Sequence, residues 1–197
     1  MAMIADLDQS LEKWLRGSLP GDMTKNLTIS FLPPDQMPNA ALPAINLFLY
    51  DVRQNLESRT NDWIVERQAD GKATQRRPQA QVTCFYLISA WPAGGASDSV
   101  QNEHLILGEV LKLLVATPKI PDAFLQGSLK AMDIPVAATP VSAGAQNITD
   151  FWQLFGGKPK AVLNYSVNVG VDAGKPQETF LVTQKTIKFE LIEGVEQ

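Results

Sequence analysis

The chain has 197 residues, of which 45% are hydrophobic and 19% charged, so it is long enough to bury a core and has a globular composition. Its net charge of −4 gives no electrostatic reason to expect nucleic acid as the main partner. The single cysteine excludes an internal disulfide and fits a reducing compartment, and no apolar run approaches membrane-spanning length. Because the first residues lack the regions of a signal peptide, we expect a cytoplasmic protein that does not insert directly into a membrane.

The first predicted element is an amphipathic helix over residues 4–16. Its apolar side chains fall on one stripe, and its acidic and basic residues lie at the ends that the helix dipole favours. A short strand over Leu27–Leu32 follows. The next strand, Pro43–Arg53, is apolar on both faces over residues 45–50, which is typical of a strand covered on both sides. We therefore expect this strand to be the centre of a sheet.

The segment 54–80 is polar apart from Trp63-Ile64-Val65, and Asp70-Gly71 is its strongest turn signal. This pattern predicts an exposed hairpin over about 56–79, in which residues 62–69 pair with 72–79. Residues 53–77 carry six basic and four acidic side chains, a charge of +2, so the remaining chain carries −6. The hairpin is therefore either a solvated loop or a contact surface. In the second case, the candidate partner-binding residues are Arg59, Arg67, Arg76, Arg77 and, in a later turn, Lys175.

A second apolar strand, Gln81–Trp91, precedes a predicted helix over residues 98–116. The apolar face predicted for this helix comprises Leu107, Val110, Leu111, Leu114 and Val115. His104, the only histidine, falls on the same side, so we interpret it as a buried residue with a satisfied hydrogen bond. A helical turn near 122–125, a loop over 131–149 and a brief helix over 150–155 complete this part of the chain.

Two long apolar segments end the chain. Val162–Val171 alternates cleanly as a half-buried strand, whereas the apolar phase of Thr179–Leu191 slips near Gln184, which indicates a bulge or a change of covered face. Each segment is about twice the usual strand length. We therefore expect a long C-terminal hairpin, about 161–191, that projects from a single domain spanning 1–197. The elements together predict an α+β fold: a mixed, largely antiparallel β-sheet flanked by two or three helices, with protruding β-hairpins.

The residues that usually carry catalysis are scarce. One histidine and one cysteine, Cys84 in mid-strand, give little support to a Cys/His or Ser/His arrangement or to a metal site. Gly157-Lys158 and Gly174-Lys175 are followed by proline and lack the upstream glycine of a phosphate-binding loop. We therefore expect no catalytic, metal or cofactor site. An enzyme that uses an unrecognised pair of carboxylates remains an alternative.

Five local signatures occur in order along the chain. They are Pro43…Asn46-Leu-Phe-Leu-Tyr-Asp-Val-Arg53-Gln-Asn55, Arg76-Arg-Pro78, Tyr86-Leu-Ile-Ser-Ala-Trp91, Glu103-His104 with Leu107-Gly108, and Asp150-Phe-Trp…Phe155-Gly-Gly-Lys-Pro159. In order and spacing they resemble the N-terminal domain of the cap, or tail-terminator, proteins of extracellular contractile injection systems. These systems are phage-tail-like particles with a sheath around an inner tube.

The resemblance implies a structural role that the residue chemistry does not show by itself. It implies a ring, expected to be a homohexamer, that closes the distal end of inner tube and sheath when assembly reaches its final length. The expected partners are other copies of the chain, the inner tube protein and the sheath protein, without nucleic acid. A baseplate or tube-adaptor component of the same kind of particle is the alternative. Either role needs a stable core and edges or loops that can add to a neighbour's sheet.

Overall fold

The computed structural model describes residues 3–37, 43–56, 62–68, 72–93, 99–140, 160–172, 174–175, 177–180 and 186–187. The helices in these ranges are α1 (Met3–Ser18), α2 (Gly21–Thr24) and α3 (Ser99–Ala116). The strands are β1 (Thr28–Ser30), β2 (Ala44–Gln54), β3 (Ile64–Arg67), β4 (Lys72–Arg76), β5 (Ala80–Trp91), β6 (Ala138–Pro140), β7 (Val162–Val171) and β8 (Gln177–Phe180). Short 3-10 segments lie at Pro34–Gln36, Asp122–Phe124 and Gly127–Ala131.

The chain divides into two compact units. The first, Met1–Arg59 with Gln79–Val171, contains α1, α2, α3 and a five-stranded sheet of order β1-β2-β5-β7-β6. The second, Thr60–Pro78 with Asp172–Gln197, contains a three-stranded sheet of order β3-β4-β8. Among the described strands only β1 and β2 pair in parallel. The predicted class, α+β with a mixed and largely antiparallel sheet, is confirmed.

Helices α1 and α3 share one hydrophobic core with the sheet of the first unit. The predicted apolar stripe of α1 is buried at Leu7, Leu11, Trp14 and Leu15. The same core contains, from the strands and from α3, Ile88, Tyr86, Tyr165, Val167, Val110 and Leu114. Each such large apolar side chain contributes about 1.5–3 kcal/mol when it leaves water, so this core is the main source of stability in the unit.

The strand at the centre of the five-stranded sheet is β5, rather than the predicted β2. β2 is fully buried only over its first four residues, and its later residues Tyr50 and Val52 are exposed. A register shift between Leu49 and Asp51 changes the alternation in the middle of the strand. An apolar run predicts that a segment is covered, but its position in the sheet depends on partners distant in sequence.

The predicted hairpin pairing within 56–79 is present in the second unit, where β3 and β4 run antiparallel with Ile64 opposite Arg76 and Arg67 opposite Ala73. The predicted C-terminal hairpin is wrong for the described residues of β8. β8 pairs with β4, whereas β7 is bordered by β5 along its length and by β6 at residues 165–167. A strand has two edges, and over these residues both edges of β7 are occupied. The predicted phase slip near Gln184 and the helix over 150–155 lie outside the described residues.

Hydrogen bonds tie α1 to the 3-10 segment at Gly127–Ala131 and to β5. The Asp6 carboxylate accepts bonds from the backbone N–H and the hydroxyl of Ser128, at 2.9 and 2.6 Å. These two bonds hold the pKa of Asp6 below its ordinary value of 3.8. On the same helix, Asp8 accepts a bond of 2.8 Å from the Tyr86 hydroxyl, yet burial raises the pKa of Asp8. The two aspartates therefore respond to pH in opposite directions.

We expect Asp6→Asn to lower the free energy of unfolding at pH 7 and Asp8→Asn to raise it. A lowered folded-state pKa stabilises the fold above the unfolded value, and this stabilisation is lost as pH falls through the folded pKa of Asp6. A raised pKa gives the reverse: the penalty at Asp8 is absent below 3.8 and complete above its folded pKa. Urea unfolding between pH 7 and pH 3 measures the free energy of unfolding of both variants. The difference of each variant from wild type should become smaller as the pH falls. Equal signs at pH 7 would contradict the assignment.

Candidate partner-binding surface

Four of the five predicted partner-binding residues lie in the described part of the second unit. Arg67 ends β3, Arg76 ends β4, Arg77 follows directly, and Lys175 lies in the segment before β8. Arg59 lies outside the described residues. The structure thus places Arg67 and Arg76 on neighbouring strands, close to opposite ends of their shared ladder.

Two of these four basic groups already have partners within the unit. Arg76 Nε lies 3.4 Å from Glu66 Oε1, and the Arg76 side chain is 26% exposed. The Arg77 guanidinium lies 5.2 Å from the centroid of the Trp63 ring, a cation–π distance. By contrast, Arg67 and Lys175 are exposed and form no ion pair with another described residue. The predicted positive surface is therefore a set of locally paired cations with two solvated members.

An apolar run stands out in the same unit. Trp63, Ile64 and Val65 are 40%, 37% and 47% exposed, although successive residues of a strand point to opposite faces. β3 therefore presents apolar side chains on both of its faces, at the edge of the three-stranded sheet. Sequence reasoning treated this run only as an interruption of a polar segment. The run becomes a signal once β3 is known to be an edge strand, because such strands rarely carry apolar residues on both faces.

The start of α3 holds a buried ion pair instead of the predicted buried histidine. Lys160 Nζ lies 2.7 Å from Glu103 Oε2 and 4.6 Å from the centroid of the Trp91 ring. Glu103 is buried, whereas His104 is exposed, so the prediction that His104 is a core residue is wrong. Glu103 is thus held by its ion pair with Lys160, which lies just before β7. It lies beyond the first turn of α3.

Several apolar residues of α3 are exposed. Leu107, Val110 and Leu114 are buried, as predicted, but Leu111 and Val115 are exposed. Two further apolar residues of α3, Val100 and Leu105, are also exposed. The apolar face of α3 is therefore wider than the area that the core of this unit covers.

Two hollows in the first unit bear on the enzyme alternative. A groove of about 570 Å³ is lined mainly by apolar residues, which come from α2, from α3 and from the loops beside them, and it has one carboxylate, Asp22. A second hollow of about 370 Å³ includes Asp122 and Asp133, but both are exposed, and Asp122 lies 3.0 Å from Lys119. Solvated carboxylates at a surface lack the burial that tunes a general acid or base.

The thiol of Cys84 is buried in β5, and burial raises its pKa to about 11, so it remains protonated at neutral pH. Within the described ranges, no group of three His, Cys, Asp or Glu side chains could hold a metal ion. In the same ranges, no helix has the length and apolar content needed to cross a membrane.

Comparison with solved structures shows the fold in other proteins. The sheath/tube terminator of PVC, an extracellular contractile injection system, in its extended state matches with a TM-score of 0.72 and 23% identity over 98% of this chain and 65% of that chain. The tube-terminating cap of the anti-feeding prophage matches with a TM-score of 0.67 and 24% identity over 94% of this chain and 61% of that chain. The chain thus spans less than two thirds of either protein.

No curated protein sequence matches the chain. The profile of the Pvc16 N-terminal domain family, however, matches residues 6–184. This range begins within α1 and includes the rest of the first unit and the three strands of the second sheet. The chain belongs to the Pvc16 N-terminal domain family.

Proposed function

We propose that the protein is a structural cap of a contractile injection system, which closes the distal end of inner tube and sheath. The observation that carries this proposal is the match to the Pvc16 N-terminal domain family over residues 6–184. The likeness in fold to two tube terminators supports it. The exposed carboxylates and the buried thiol give no support to a catalytic role, so we infer that the protein is not an enzyme and needs no cofactor.

The proposed partners are the inner tube protein, the sheath protein and other copies of the chain in a ring. Identical chains that contact each other head to tail close into a ring when the rotation closes, and a closed ring matches the end of a tube. Six copies is the number that the family resemblance implies. We place the protein in the assembled particle, formed in the cytoplasm, without contact to nucleic acid or insertion into a membrane.

Electron microscopy of purified particles that carry a labelled copy of this chain tests the proposal. We expect label at the end opposite the needle, and symmetry averaging of that end should give the number of copies. Particles made without the chain should have open or irregular distal ends. Label at the needle end would support the baseplate or adaptor alternative, and particles with no label would overturn both.

We expect Arg76→Glu/Arg77→Glu to weaken capping without unfolding the protein. Glu66 and Trp63 are both solvent-exposed, and contacts of charged groups at such sites contribute about 1 kcal/mol or less each, so the fold should tolerate the loss of both contacts. If the two arginines also contact the tube or sheath, the fraction of capped particles should fall, and wild-type capping should itself weaken at high salt. Particle counts by microscopy measure this fraction. Lys112→Glu/Lys119→Glu, which reverses two charges of the first unit, is the matched control. Equal fractions of capped particles with the two variants would show that Arg76 and Arg77 belong to a solvated loop without partner contact.

A further inference from the structure

The outer edge of β3, residues Trp63–Arg67, has backbone groups that no described strand pairs with. In the β3–β4 ladder the N–H of Gln68 donates to the carbonyl of Lys72, the residue opposite it, at 2.8 Å, so this pair occupies a hydrogen-bonded position of the ladder. Such pairs alternate along an antiparallel ladder, so the N–H and C=O groups of Val65 and Arg67 point away from β4. No described strand pairs with this edge. Within the described part of the chain, β3 therefore offers a row of donors and acceptors that no strand pairs with.

The side chains of the β3 edge favour pairing over solvation. Natural edge strands usually avoid association by lysine, proline, a bulge or a cover. Residues 63–67 contain no lysine, proline or bulge, and no described strand covers their edge, although β3 is short and carries Glu66 and Arg67. Its three apolar side chains are between 37% and 47% exposed. An edge of this kind gains both hydrogen bonds and apolar burial when another strand adds to it.

We propose that the β3 edges of two copies of this chain pair with each other, antiparallel, with Val65 of one copy opposite Val65 of the other. Only residues with outward backbone groups can form the bonded pairs of such a contact, so odd-numbered residues oppose odd-numbered residues. The register centred on Val65 also places Trp63 opposite Arg67 of the second copy and Ile64 opposite Glu66. A cation thus meets an aromatic face at each end, and two valines meet at the two-fold axis.

The neighbouring registers are unfavourable, which is why we choose this one. If one copy slides by two residues in one direction, Glu66 lies opposite Glu66 of the second copy. If it slides by two residues in the other direction, Asp62 of each copy lies opposite Glu66 of the other. Directly opposed like charges destabilise a strand pair. The order Asp62, Trp63, Ile64, Val65, Glu66, Arg67 is therefore self-complementary about Val65.

The contact joins two three-stranded sheets into one sheet of order β8-β4-β3-β3-β4-β8. Because only a few residues of each chain take part, the buried area belongs to the small class of transient interfaces. We expect a dimer that forms at high protein concentration and needs neither tube nor sheath. The contact is two-fold and differs from the head-to-tail contacts of a ring, so it does not rest on the proposed function.

Sedimentation velocity of the purified full chain between about 1 µM and 1 mM tests the proposal. Wild type should dimerise with concentration, whereas Val65→Lys and Val65→Glu, which place like charges at the two-fold axis, should each raise the dissociation constant at least about tenfold. An equimolar mixture of the two variants should restore the dimer, because opposite charges then meet. Val52→Lys is the matched control: Val52 is 43% exposed, lies in a strand of the first unit, and should leave dimerisation unchanged.

Val65→Cys gives a second readout that does not depend on a change in affinity. Cα atoms of a bonded antiparallel pair lie about 5.5 Å apart, within the usual range for a disulfide. Mild oxidation should therefore link Val65→Cys chains into dimers, while wild type, with its thiol buried, and Val52→Cys should stay unlinked. A monomeric wild type at 1 mM, unchanged association of both charged variants, or a mixture that fails to recover would each overturn the proposal. The last result would point instead to pairing of β3 with a different strand.

Discussion

Replacing Lys160 with methionine is expected to lower the free energy of unfolding by about 3 kcal/mol. The substitution keeps most of the apolar stem but leaves the Glu103 carboxylate buried without the cation 2.7 Å away. The side chains of Lys160 and Glu103 are 19% and 11% exposed, so water replaces the lost partner poorly. The contact of the ammonium group with the Trp91 ring is lost as well.

Chemical unfolding at pH 7 measures this effect, with Lys112→Met as the matched control. Lys112 lies 2.5 Å from Glu109, but its side chain is 74% exposed, so its loss should cost under about 1 kcal/mol. Removing both charges, in Glu103→Leu/Lys160→Met, should recover most of the lost stability, because no uncompensated charge remains. Equal losses in Lys160→Met and Lys112→Met would show that water reaches the Glu103 carboxylate.

This ion pair also illustrates what sequence patterns could and could not predict. The helix over 98–116 is recovered almost to the residue as α3, because its ends and its apolar content are clear. The face that α3 buries is not predicted correctly, because apolar residues occur around much of the helix. Successive residues differ in direction by about 100°. The buried face contains Glu103 and excludes its neighbour His104. Lys160 is distant in sequence, so no local pattern could have paired it with Glu103.

The same limit applies to the sheets. Hairpin partners such as β3 and β4 are close in the chain, and their turn signal predicts the pairing. The partner of β8 lies about a hundred residues upstream, in β4, and alternation of apolar residues contains no information about which edge a strand will meet. The length of the C-terminal segments made a hairpin the simplest prediction. The second unit, assembled from two separated parts of the chain, could not be predicted from either part alone.

For the candidate surface, charge was the more visible signal and apolar exposure the more informative one. The excess of basic residues predicts a contact surface, but Glu66 and Trp63 already engage Arg76 and Arg77. A count of charges shows neither partner, because it does not say which residues lie opposite each other in the hairpin. The exposed side chains of Ile64 and Val65 become informative only once β3 is known to be an edge strand.

Replacing Gly127 with alanine is the second large change that we expect, with a loss of stability of at least about 1–2 kcal/mol from the backbone alone. Gly127 has a φ of +51°, in the left-handed region that residues with a Cβ avoid. An added methyl group would also overlap the Asp6 carboxyl group, which accepts two hydrogen bonds from the next residue, Ser128. The substitution should therefore strain the turn and displace the anchor between α1 and this segment.

Gly108→Ala is the matched control and should have the opposite sign. Gly108 lies within α3 with open space where a Cβ would be, so alanine should stabilise the helix by about 0.5–1 kcal/mol. The midpoint temperature of thermal unfolding should then fall for Gly127→Ala and rise for Gly108→Ala. Asp6→Ala, made alone and together with Gly127→Ala, separates the two causes at Gly127. Without the Asp6 carboxyl group the overlap disappears, and only the backbone penalty of Gly127→Ala remains. If Gly127→Ala costs as much with Asp6 as without it, the carboxyl group moves aside freely and does not hold the turn in place.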